Sequence, residues 1–169
     1  MEVSLSRALS PAHRRAARQA GIGPLLEAAL GDLGLGGHRL CCRLTTAVAI
    51  ARLNRRFAGS DRPTDVLAFP AADLIPGSGF RLPPGGTGSL GDIVVAIPVA
   101  LAQSEAAGAD PQDELRLLAV HGLLHLVGHD HHDRDEADRM TQATRQLLAR
   151  DAARRGHLPP VVPPLQPTA

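Results

Sequence analysis

The chain has 169 residues, a formal net charge of +1 and 44% hydrophobic residues. That length bounds it to one domain with a single buried core, and near-neutral charge excludes global attraction to a polyanion, so any nucleic-acid contact must be a local patch. Aromatic residues are only 2% of the chain, with no Trp or Tyr, which leaves the core to Leu, Val, Ile and Ala and excludes base stacking on aromatic platforms.

Ser10 and Pro11 read as an N-cap and a proline at the first helical position, opening a helix that carries His13, Arg14, Arg15 and Arg18. A short helix, Leu25–Leu30, follows Gly23-Pro24. Residues 38–45 alternate Leu40, Cys42 and Leu44 with Arg39 and Arg43, the period of a half-buried strand. Cys41 and Cys42 are adjacent in that run and read as small strand or core residues of a reducing compartment. Thr46 can cap a helix whose apolar face is Ile50, Leu53 and Phe57. Asp65–Phe69 and Ile93–Ile97 are short apolar or β-branched runs that read as two more strands. Between them, Pro70–Gly91 is rich in Gly and Pro and lacks periodicity, as in a surface insertion or flap.

Pro98–Gly108 reads as a helix over the sheet. Asp110-Pro111 caps the next one, with Asp113 and Glu114 in its first turn. Asp133 and Glu136 open a last helix, with Ala137, Met140, Thr144 and Leu147 on one face, which stops near Gly156. Mixed strands and helices predict an α+β fold: a single domain over residues 1–156, with a mixed sheet of about four strands flanked by five or six helices. The Pro-rich segment 157–169 is expected to be disordered. The longest apolar stretch, Ile93–Ala102, is too short to span a bilayer and contains Pro98. The first 21 residues carry several arginines and Pro11 in place of the apolar segment of a signal peptide, so a cytoplasmic protein without a membrane partner is expected.

Five of the eight histidines fall in HGLLHLVGHDHH, residues 121–132. A helix advances about 100° per residue, so His121 and His125 share a face one turn apart. Gly128 can stop the helix in a left-handed cap, allowing His131 to swing back toward them. His129 would reach the same face only if the helix ran through Gly128, so His131 is the preferred third ligand. The segment Leu115–Val127 is apolar almost all round, and two histidines buried side by side need a shared partner. Three imidazoles around Zn²⁺ leave a fourth position open, the pattern of a catalytic site, and this metal cleft is expected at one edge of the domain. Asp130 is a candidate to orient an imidazole or, with His129, to relay a proton. The spacing equals that of a metzincin protease, but Gly122 stands where the general-base Glu would be. Phosphodiesters fit such a site better than peptides do.

HGLLHLVGHDH resembles the H-G-x-L-H-L-x-G-[YH]-D-H signature of the YbeY family of bacterial metal-dependent endoribonucleases. LNRRFAGSDRPTDVLAFP (53–70) and SLGDIVVAIP (89–98) resemble two further blocks of that family, in the same order. The resemblance covers roughly residues 40–155. It implies one zinc ion on His121, His125 and His131, the same α+β architecture, and cleavage of single-stranded RNA in small-subunit (16S) ribosomal RNA maturation and ribosome quality control, with no DNA partner. The family's Arg of the second block falls on Ala58, and its Ser falls on Ala68. Arg55, one helical turn earlier, or Arg62, one turn later if the helix extends so far, is the candidate replacement. Two other function classes remain: a non-catalytic ribosome-associated zinc protein, which Ala58 favours, and a non-RNA metallohydrolase such as a peptidase.

Overall fold

The computed structural model describes residues 1–71 and 87–167. Four strands, β1 (Glu2–Leu5), β2 (Arg39–Thr45), β3 (Val66–Pro70) and β4 (Ser89–Ala96), form one sheet in the order β1-β2-β4-β3. The β1-β2 and β2-β4 pairs are parallel, whereas β3 runs antiparallel to β4. Six helices accompany them among the described residues: α1 (Pro11–Gln19), α2 (Ile22–Asp32), α3 (Ala47–Ala58), α4 (Ile97–Ala107), α5 (Pro111–Leu126) and α6 (Arg134–Arg155). The expected α+β domain with a mixed sheet is what forms.

Local chemistry accounts for most element ends. Ser10, Thr46, Asp110 and Asp133 accept hydrogen bonds from first-turn amides of α1, α3, α5 and α6, as their side chains predict. α2 starts earlier than expected and includes Gly23 and Pro24. Pro24 is tolerated because the amides of the first helical turn have no partner within the helix. β1 was not anticipated: four residues are too few to display a period, and its pairing with β2 supplies the order.

β4 begins at Ser89, four residues before the apolar run that marked it in the sequence. Its early part contains an irregularity, where the register against Arg39 and Leu40 jumps from Ser89 to Gly91. Gly91 has φ 122°, and a Cβ there would lie 2.1 Å from the Phe69 carbonyl oxygen of β3. A side chain at this position would part the two strands. The expected Pro70–Gly91 connection is therefore bounded by β3 and β4, and residues 72–86 of it lie outside the described residues.

β4 is buried on both faces, as central strands of mainly parallel sheets are. Ile93 and Val95 join the large core formed with α1, α2, α4, α5 and α6, and Val94 and Ala96 join a small one under α3 with Ile50. α5 packs against β3 and β4 on one side and against α1, α2, α4 and α6 on its others. Its nearly continuous apolar circumference thus becomes an interior helix. One charge on it, Arg116, is also buried. Its Nε and Nη2 donate to Asp151 Oδ2 of α6 at 3.1 and 2.6 Å, and Nη1 donates to the Ala20 carbonyl at the end of α1. A single guanidinium ties three helices together.

The Pro-rich segment expected to be disordered has no regular secondary structure through residue 167, but it lies against α6. Val162 is buried, its carbonyl accepts from Arg145 Nε and Nη2, and the Leu165 amide donates to Thr141 Oγ1 at 3.0 Å. An extended chain without internal hydrogen bonds can take them from a neighbouring helix.

Replacing Asp151 with Ala leaves Arg116 buried and unpaired, and is expected to cost about 3–5 kcal/mol. Arg155 also contacts Asp151 but is partly exposed, so Arg155→Ala should cost under about 1 kcal/mol. Urea denaturation of the two variants checks the contrast, and equal losses would remove Arg116 from its structural role.

Candidate metal centre

α5 terminates at the point required by the histidine spacing. Gly128 has φ 91°, its amide donates to the His125 carbonyl at 3.1 Å, and the His129 amide donates to the Leu124 carbonyl at 3.0 Å. These are the paired hydrogen bonds of a Schellman turn, which reverses the chain at a left-handed residue. Asp130 Oδ1 then accepts from the His131 amide at 2.8 Å, tightening the next bend. The His131 ring returns to within 5.6 Å of the His121 centroid and 5.2 Å of the His125 centroid.

His121 and His125 place their Nε2 atoms 3.0 Å apart. Two nitrogens bound to one tetrahedral ion at about 2.0–2.1 Å would stand roughly 3.3 Å apart, close to that separation. One ring nitrogen from each of His121, His125 and His131 lies within 4.8 Å of the others. His129, the alternative third residue, is not part of this group and lines the cleft mouth instead. The three-imidazole donor set fits a borderline-soft divalent cation.

Electrostatics favour lone pairs over protons. Burial, together with the neighbouring His125 and His131, pushes His121 down to about 4 from its ordinary 6.5. Burial and then His131 lower His125 as well, while Asp130 and a hydrogen bond at the His129 backbone partly offset this. The site also lies at the C-terminal turn of α5, where the helix dipole favours positive charge.

Asp65 was not singled out from the sequence, where it only opened a strand. Its negative charge raises His121 against the other influences. The Val66 amide at 2.7 Å, the Thr64 hydroxyl at 3.0 Å and Gln103 Nε2 at 3.0 Å hold its carboxylate in place. Only the T-D-V of the second motif block could have pointed to it.

Two of the three histidines, His121 and His125, line a cleft of about 360 Å³ whose walls are β3, at Val66, Ala68 and Pro70, and the turn at Gly128 and Asp130. β3 is the last strand of the sheet, so the cleft lies at the sheet edge, as expected. Asp130 uses Oδ1 on the His131 amide and Oδ2 on His132 Nε2 at 2.8 Å. The candidate arginines do not line the cleft among the described residues. Arg55 pairs with Asp61 at 3.3 Å, both side chains about three-quarters exposed, and the Arg62 carbonyl accepts from Asn54 Nδ2 at 2.8 Å. α3 ends at Ala58, so Arg62 lies in the loop beyond it.

Gly122 has a packing role that spacing could not disclose. A Cβ there would lie 2.7 Å from Ile93 Cγ2 and 3.3 Å from Val66 Cγ2. The α5 backbone therefore presses directly on β3 and β4 beside His121. No carboxylate side chain fits between them, which gives the absent metzincin Glu a steric reason.

A family model described as Endoribonuclease YbeY matches residues 15–151. The Endoribonuclease YbeY of Synechococcus sp. is 48% identical over 106 residues, 63% of this chain and 64% of that protein, so the match spans a little under two thirds of the relative's length. That of Azorhizobium caulinodans is 42% identical over 122 residues, 72% of each chain. That of Moorella thermoacetica is 38% identical over 132 residues, 78% of this chain and 85% of the relative. A Thermotoga maritima protein solved in solution superposes with a TM-score of 0.60 over 92% of both chains at 22% identity, a likeness of fold. No helix among the described residues is long and apolar enough to cross a membrane.

Two measurements test this geometry. Gly122→Ala should cost about 1–3 kcal/mol through overpacking against Ile93, and Gly122→Glu should cost more and yield no peptidase activity; a Gly122→Glu protein as stable as wild type would contradict the close contact. Because the folded-state pKa of His121 is lowered, the unfolded chain binds the extra proton first. Stability of the metal-free protein is therefore full above about pH 6.5 and lost as pH falls toward about 4. Its melting temperature should drop between about pH 7 and about pH 5, and the drop should be shallower in His121→Gln.

Proposed function

Since this chain belongs to the YbeY family, we propose that it is a zinc-dependent endoribonuclease that cuts single-stranded RNA during small-subunit ribosomal RNA maturation and ribosome quality control in the cytoplasm. The observation that carries the reading is the convergence of His121, His125 and His131, the first two of which line an open cleft. When bound there, zinc would supply Lewis-acid stabilisation of phosphate charge and lower the pKa of water.

The chain's own residues do the rest. The cleft lies between β3, with Val66 and Ala68 on its wall, and the Gly128 turn, and in this reading it takes a single strand. Asp130 is half-exposed at the cleft wall with Oδ2 on His132, and in this reading it takes a proton from the attacking oxygen or returns one to the leaving oxygen. Ala58 offers no guanidinium, so the phosphate contact falls to Arg55 or Arg62. Arg55 is held only by an exposed ion pair with Asp61. Such pairs contribute little, so the guanidinium can turn to a phosphate at small cost. A bidentate Arg would then neutralise the charge developing on the phosphate oxygens.

His121→Ala should abolish both stoichiometric zinc, measured by elemental analysis, and cleavage of a single-stranded ribosomal RNA fragment. Retention of both would refute the proposal. Arg55→Ala or Arg62→Ala should lower kcat/KM by about tenfold or more, the loss of one charge-assisted phosphate contact. If wild-type protein instead co-sediments with small ribosomal subunits and cuts no RNA, the non-catalytic reading favoured by Ala58 replaces this one.

A further inference from the structure

The α3 face of the sheet is only partly covered. Ile50 of α3 seals Val94 and Ala96, with Leu53, Leu67 and Phe69 packed around them. Beyond that small core a groove of about 460 Å³ remains between the end of α3 and β4, with Arg43, Phe57, Phe69, Pro70 and Asp92 on its walls. Phe57 is 59% exposed. Its ring stands edge-on to Phe69 at 5.0 Å and 65°, and the Arg56 guanidinium lies 5.2 Å from its centroid.

Although the composition argued against aromatic platforms, two of the three phenylalanines are concentrated here. We propose that Phe57 is a stacking platform for a nucleobase of the single-stranded RNA whose backbone passes through the metal cleft, a subsite that rests on the ribonuclease reading above.

Three observations support this occupant. Pro70 lines both the groove and the metal cleft, so a strand turning around the C-terminal end of β3 reaches both. Second, Arg43 of β2 lies on the groove wall and Arg56 of α3 lies over the Phe57 ring, two cations that suit the backbone flanking a bound base. Third, Asp92 is the acid on the groove wall. Its carboxylate repels a phosphate but accepts from an exocyclic amino group, so the groove takes the base and leaves the backbone at its rim. An exposed cation–π contact such as Arg56 over Phe57 is weak, and a guanidinium can itself stack on the incoming base.

The chain has no Trp, so Phe57→Trp creates a single fluorescent reporter. Zinc-loaded full-length Phe57→Trp would be titrated with an uncleavable 2′-O-methyl single-stranded oligonucleotide, and with the same oligonucleotide made abasic at each position in turn. Emission should be quenched by the intact strand. One abasic position should remove the quenching and weaken binding by about five- to tenfold, the low end of single-base stacking. Phe57→Leu, which keeps an apolar contact to Phe69, should retain the wild-type melting temperature and be insensitive to that abasic site. Binding without quenching overturns the subsite, as does an abasic penalty that persists in Phe57→Leu. Failure of wild-type protein to bind any single-stranded oligonucleotide overturns the ribonuclease reading along with it.

Discussion

The close seating of α5 on the sheet is the constraint from which the rest of the molecule follows. Gly122 lets the helix backbone approach Ile93 and Val66 to van der Waals contact, which brings His121 and His125 up to the edge of β3. A wider spacing would leave the two imidazoles facing solvent or the cleft floor open. The same closeness desolvates them, and that desolvation is the leading cause of their lowered pKa values. Packing and metal readiness are thus one feature. Arg116 secures the helix from the opposite side by binding Asp151 and the end of α1. Rotation of α5 about its axis would break that buried pair and misplace the histidines together.

The candidate site is built unequally. Its metal half sits on an interior helix and on a turn whose Gly128 and His129 amides are bonded back into α5. Rigid support of this kind holds ligands at bonding distance before an ion arrives. The phosphate-binding half is looser. With Ala58 at the end of α3, the two proposed guanidiniums, Arg55 and Arg62, belong to an exposed ion pair and to a loop residue, and neither is preorganised for a bound strand. Preorganised charge stabilisation is usually the larger contribution to phosphoryl chemistry. If the proposed function holds, this chain should owe more of its rate to the metal than a relative with an arginine at that position.

β3 joins the two sides of the molecule. It is a five-residue edge strand whose alternate residues face opposite layers: Val66 and Ala68 pack with the large core beside the histidines, and Leu67 and Phe69 with the small core under α3. Gly91 sets how closely it lies on β4, because the Phe69 carbonyl occupies the space a Cβ would need. A strand so short and so tightly held can serve as a rigid rim, with a metal cleft on one face and an aromatic groove on the other.

Much of this was legible in the sequence because it is governed by local rules. Helix caps, the 3.6-residue period that pairs His121 with His125, and the glycine that must be left-handed at 128 all act over a few residues, so the three-histidine set and the helix carrying it could be read directly. What the tertiary structure alone decided depends on residues far apart in the chain. β1 is ordered by β2, the Pro-rich tail by Arg145 and Thr141, and Asp65 meets the electrostatics of His121 across more than fifty residues. The meaning of Gly122 changed most. From spacing it was a missing carboxylate; in the fold it is the contact that lets a helix lie against a sheet, since steric fit is set by whatever occupies the other side.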